Sequence, residues 1–95
     1  MTSKQISFLR GLAHKLNPVV IIGNNGLSET VINEIDISLN AHELIKIKVQ
    51  GDDRAVRSQM YLDVCNRLNA VAVHHIGKQL VIYRKSDKPK IIIVN

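Results

Sequence analysis

The strongest constraint in this chain is a change of apolar period inside one short stretch, "VVIIGNNGLSETVI" from Val19 to Ile32. Val19 to Ile22 is an unbroken β-branched run, which reads as a strand. After Gly26 the apolar residues Leu27, Val31, Ile35 and Leu39 step by four, as on one face of a helix. A strand that turns through Gly-Asn-Asn-Gly straight into a helix excludes an all-α or all-β chain. It also removes the hairpin reading that Asn-Gly would otherwise invite.

The same change of period recurs on both sides. Ile6, Leu9, Leu12, Ala13 and Leu16 fall at helical spacing between Thr2 or Ser3 as cap and Pro18 as stop, predicting a helix over 3–16 that buries Ile6, Leu9, Leu12 and Leu16. "PVVII" predicts a central strand covered on both faces. "ELIKIKVQ", 43–50, alternates Ile45, Ile47 and Val49 against Lys46, Lys48 and Gln50, predicting a strand whose lysine face is solvated. Asp52 or Asp53 then caps a helix over 53–69, on which Val56, Met60, Val64 and Leu68 step by four, and "AVAVHHIGKQLVIYRK" predicts a hairpin turning at Gly77-Lys78. The terminal "IIIV" is long enough for an edge strand and apolar enough to pair with a neighbour. The predicted order is α-β-α-β-α-β-β, a single α/β domain with a four-stranded mixed sheet.

With 95 residues there is room for one core, and with one Phe, two Tyr and no Trp that core is aliphatic. The lone Cys65 can close no intramolecular disulfide, and the charged N-terminus has neither a signal-peptide h-region nor a membrane span, so the expected location is the cytoplasm. Thirteen Lys and Arg against eight Asp and Glu give a net charge of +5, which favours a polyanionic partner.

The glycine turn is the natural place for that partner. Glycines permit close approach and left-handed geometry, Asn24 and Asn25 add amide donors, and a following helix start offers unpaired N–H groups that attract an anion. Neither G-x-G-x-x-G nor a P-loop spacing is present. Lys4, Arg10, His14 and Lys15 lie outside the apolar stripe of the first helix, with no acidic residue before Glu29, and Arg84 and Lys85 form a second basic cluster. Arg84 could offer a phosphate a planar donor fork. Tyr83, Met60 and Cys65 read as core. His74 and His75 are strand neighbours pointing to opposite faces, so they read as structural rather than as a chelating pair, and no nucleophile or carboxylate pair has an evident catalytic partner. No enzyme, metal or cofactor is expected.

Three blocks, "LRGLAHKLNPVVIIGNNGLSETVINEID", "HELIKIKV" and "IGKQLVIYR", together resemble the CRM domain (chloroplast RNA splicing and ribosome maturation), in particular its free-standing bacterial YhbY-type members. The resemblance spans about residues 3–85. It implies a fold similar to the C-terminal domain of translation initiation factor three, and a KH-like use of the Gly-x-x-Gly loop to clamp RNA backbone. It further implies association with large-subunit ribosomal RNA precursors, while the plant relatives of the family serve group II intron splicing. The chain departs from the family in carrying Asn24 where many members place a Lys. The expected RNA-binding residues are Gly23, Asn24, Asn25, Gly26, Lys4, Arg10, Lys15, Arg84 and Lys85, on a monomeric domain over 1–85 followed by a short tail over 86–95. Docking through ribosomal proteins is the alternative.

Overall fold

The computed structural model describes residues 1–93. Its elements run α1 (Ser3–Ala13), β1 (Val20–Ile22), α2 (Glu29–His42), β2 (Leu44–Val49), α3 (Arg54–Leu68), β3 (Val71–Ile76) and β4 (Gln79–Tyr83), the order that the spacing predicts. Local chemistry sets the helix starts. Thr2 and Gln5 form a reciprocal capping box at α1, Ser28 Oγ accepts the Val31 N–H at α2, and Asp53 Oδ1 accepts the N–H groups of Ala55 and Val56 at α3.

The sheet order is β1-β2-β4-β3, with β1 parallel to β2 and the other pairs antiparallel. β1 is therefore an edge strand and not the central strand that its apolar run predicts. Only its Val20 and Ile22 face the main core, and Ile21 on the opposite face is 55% exposed. The strands alternate between two unequal layers. Val20, Ile22, Ile45, Ile47, Val49, Leu80 and Ile82 pack beneath Ile32, Ile35 and Leu39 of α2 and Val64 of α3. Across the sheet, Leu44, Val73, Val81 and Tyr83 meet Leu9 and Ala13 of α1, with Ile91 and Ile93 packed alongside.

One eleven-residue helix is about 16 Å long, and it covers that second face incompletely. α1 ends at Ala13, three residues early, because the chain must turn through Asn17-Pro18 to enter β1 and a residue before proline resists helical geometry. Leu12, expected in the core, is 41% exposed, and Leu16 is exposed too. Lys46 was expected on a solvated face but is only 8% exposed, because it points to the α1 side where the helix shelters it. Tyr83 is buried, as expected.

Ile91–Ile93 form no strand, and Val94 lies outside the described residues. Ile91 and Ile93 instead pack against the α1-side core. The segment leading to them is tied down by Glu43, which is fully buried at the end of α2 with a backbone φ of 67°. Its carboxylate accepts hydrogen bonds from Ser86 N (2.7 Å), Ser86 Oγ (3.0 Å), Lys90 N (2.7 Å) and Ile91 N (2.9 Å).

Candidate nucleic-acid interface

The glycine turn sits at the open end of the β1–β2 pair. The Gly26 N–H donates to the Gly23 carbonyl at 3.0 Å, and Gly26 takes a φ of 74°, as suits the last position of a turn. A Cβ at Gly26 would lie 3.7 Å from the Met60 methyl, so the turn rests on α3. Gly23 has no positive φ, and a Cβ there would make ordinary contact with Gln50 Oε1 at 3.5 Å. The fold thus demands glycine at 26 but not at 23. Asn24 and Asn25 are exposed and make no hydrogen bond among the described residues. Two residues separate Gly26 from the first residue of α2, whose initial N–H groups open beside the turn. Glu29 in that first turn is drawn to Arg67 of α3 at 2.6 Å, an exposed pair contributing under about 1 kcal/mol.

From this turn the uncovered part of the sheet extends toward α1. Ile21, Lys48, Gln79 and Ile76 are register partners across all four strands and form one row, exposed but for the half-buried Gln79. In the next row Lys46 pairs with Val81, and Val81 with His74. There β3 carries a bulge, since Val73 has no partner between Ala72↔Ile82 and His74↔Val81. A bulge lets two consecutive side chains share one face. Val73 enters the α1-side core, and His74 turns to the same side.

Arg10, Ala13, His14, Lys46, His74, Ile76 and Val81 line a notch of about 100 Å³ at the C-terminal end of α1, with no carboxylate among them. Burial, and then the Arg10 charge, hold the His74 pKa below its ordinary value. His75 faces the other way, against the Tyr61 ring with centroids 5.9 Å apart, and burial lowers its pKa as well. Burial pushes the Cys65 thiol up to about 11, which removes it as a nucleophile at neutral pH. Among the described residues no three His, Cys, Asp or Glu side chains cluster as metal ligands, and no helix is long and apolar enough to cross a membrane.

The expected basic residues separate into groups. Arg10 borders the notch, and Lys15 is exposed just beyond the end of α1. Lys4 and Lys85 lie toward the opposite end of that helix, Lys85 in a groove with Met1 and Gln5. Arg84 is not the free fork its sequence position offers. Its Nη1 contacts Asp36 Oδ1 at 2.8 Å and donates to the Leu68 carbonyl at 3.0 Å, while Nη2 donates to the Asp36 carbonyl and to Asn40 Oδ1. It pins β4 to α2 and α3. Sequence reasoning missed Lys46, Lys48 and His74, which the sheet places on the same side as Arg10. The alternation in "ELIKIKVQ" gave their common face, but nothing in the sequence marks the bulge or the reach of α1.

Comparison with known proteins agrees with this architecture. The model of the CRS1 / YhbY (CRM) domain family matches residues 1–84. A Haemophilus influenzae protein named RNA-binding protein is 48% identical over 91 residues, covering 96% of this chain and 92% of its own. Bacillus subtilis YqeI, named a probable RNA-binding protein, is 32% identical over 90 residues, with 95% and 94% covered. The solution structure of Staphylococcus aureus protein SAV1595 superimposes with a TM-score of 0.88 at 34% identity over 99% of both chains. With the family model, the relatives and the superimposed fold in agreement over nearly its full length, this chain belongs to the CRS1/YhbY (CRM) domain family.

Proposed function

We propose that the protein is a non-catalytic RNA-binding module that docks on ribosomal RNA of large-subunit precursors in the cytoplasm and assists their assembly. The observation that supports this best is the juxtaposition of an open glycine turn with an uncovered sheet face bordered by cations. The turn presents Asn24 and Asn25 with unused hydrogen-bonding capacity, and the lack of a side chain at Gly23 lets a sugar-phosphate chain approach the backbone. Lys4, Arg10, Lys15 and Lys85 add charge, and Arg84 is withdrawn from the set because its guanidinium is already occupied. The RNA partner follows the names of the relatives, and the ribosomal assignment follows the family resemblance.

If four cations each neutralise one phosphate of single-stranded RNA, log K falls with log salt at a slope of roughly −3. Asn24→Asp combined with Asn25→Asp tests the turn. Both positions are exposed, unbonded and at negative φ, so the variant retains the fold while placing two carboxylates where phosphate belongs. In cells, crosslinking and sequencing of bound RNA should map the native chain to a confined region of large-subunit rRNA and lose that signal in the variant. Equal crosslinking of both chains would refute the turn as an RNA clamp.

A second reading, docking through a ribosomal protein, draws on an apolar groove of about 480 Å³ between the end of α1 and β1, lined by Leu12, Leu16, Val19 and Leu44. Binding to precursor particles but not to their deproteinised RNA would favour it.

A further inference from the structure

Lys46 carries a charge that the fold leaves unpaired among the described residues. It is 92% buried, given its 8% exposure, yet its ammonium has no hydrogen bond or ion pair among the described residues. Its aliphatic stem is covered while the ammonium stays open to solvent at the notch, free to take an anion. Around it stand Arg10 of α1, His14 at the helix end, His74 of β3 and the apolar Val81 of β4, with no carboxylate to neutralise it.

Arg10 is arranged to share an anion with it. The bulge leaves the Val73 carbonyl outside the regular ladder, and Arg10 Nε donates to it at 2.9 Å. That bond anchors the guanidinium at one nitrogen, while neither Nη is hydrogen-bonded among the described residues. A guanidinium held by Nε and open at both Nη presents the two-pronged edge that suits phosphate oxygens.

Resting on the RNA-binding reading above, we propose that this notch seats one phosphodiester of an RNA strand, held by the Nη groups of Arg10 and the ammonium of Lys46, with His74 and His14 at its wall. About 100 Å³ accommodates a phosphate group and excludes a nucleobase. The notch opens onto the exposed row containing Lys48, and from Lys46 to Gln50, beside Gly23, is about 13 Å along β2. One strand can therefore run from the notch to the glycine turn. A bound anion reverses the balance at His74, whose free-state pKa is held down by burial and Arg10, so binding takes up a proton and strengthens as pH falls.

The test is Lys46→Met in the full chain, which keeps the buried stem and removes the charge. Three readouts separate the roles. Thermal unfolding without RNA should show equal or higher stability, where a structural lysine would give a loss. Retention of total bacterial rRNA on filters should fall about tenfold, with the salt slope shallower by about 0.7 to 1. Inorganic sulfate should raise the His74 pKa, read from its imidazole proton resonances, in the native chain and not in the variant. If the native chain binds rRNA and the Asn24→Asp, Asn25→Asp chain does not, while Lys46→Met binds with native affinity and slope, the notch is overturned and the RNA-binding reading stands. If sulfate acts on His74 but the native chain retains no rRNA, the RNA occupant is overturned together with that reading.

Discussion

Glu43 and Lys46 are three residues apart at the start of one strand, and the fold treats their charges in opposite ways. Glu43 is fully buried and receives four hydrogen bonds, three of them from backbone N–H groups of the segment 86–91. Lys46 has a buried stem, and its ammonium donates to no group among the described residues. The carboxylate has been made into an assembly point, drawing the C-terminal segment over the end of α2 and accepting an unfavourable φ of 67° to do so. The ammonium holds nothing together. A charge that the protein satisfies from its own chain is architecture, and one left open beside further cations is a place for a ligand.

The satisfied side of this contrast should give the largest effect. Glu43→Gln keeps the shape but replaces one acceptor oxygen with a donor facing backbone N–H groups, at a loss of about 3 kcal/mol. For a domain of this size that lowers Tm by roughly 12 to 24 °C, measurable by circular dichroism. The pH dependence has a definite sign. Burial alone would raise the Glu43 pKa, yet the bonds from Ser86, Lys90 and Ile91 bring it from its ordinary 4.5 down to about 2. A group depressed on folding stabilises fully above its unfolded pKa and loses that contribution as pH falls toward the folded one. Urea midpoints of the native chain should therefore decline between about pH 4.5 and 2, and the Gln variant should lack that component of the decline. An unchanged Tm in Glu43→Gln would break the comparison.

Arg84 provides a smaller effect of the same kind. Its side chain joins Asp36, Asn40 and Leu68, so Arg84→Gln strands a partly sheltered Asp36 and empties two carbonyl contacts. The expected loss is about 2 kcal/mol, with rRNA retention unchanged at temperatures where the variant is folded. Loss of RNA affinity with native stability would return Arg84 to the binding surface.

How far these roles were legible follows from what sequence spacing can encode. The steps Leu27, Val31, Ile35, Leu39 and the alternation from Glu43 to Gln50 fix element type because burial on one face imposes the period. A cap at Asp52 or Asp53, of which the structure uses Asp53, and the turn at Gly77-Lys78 were legible for local reasons. The edge position of β1 was not, since an apolar run can mean two covered faces or one covered face beside an apolar groove. Nor was the fate of Arg84, whose partners lie 16 to 48 residues away. The bulge at Val73 and the φ of Glu43 are tertiary compromises that no period records. Of the candidate site, the glycine turn and Arg10 could be read directly, whereas the notch forms where the end of α1 meets Lys46 and the β3 bulge, a junction that no spacing records.

The smallest effect concerns the unsatisfied side and needs no RNA. His74 is held below its ordinary pKa of 6.5 first by burial and second by Arg10. Arg10→Gln removes the second cause alone, so the imidazole should titrate closer to 6.5 while remaining below it. The linkage has the opposite consequence to that of a paired cation. A histidine depressed on folding contributes stability above its unfolded pKa and loses it as pH falls toward the folded value, so Arg10→Gln should soften the loss of stability just below pH 6.5. Imidazole proton titrations by NMR, assigned through His74→Gln, measure the shift. A change of zero would mean that solvent already screens Arg10 from His74, and the notch would then lack the mutual repulsion that makes an anion welcome there.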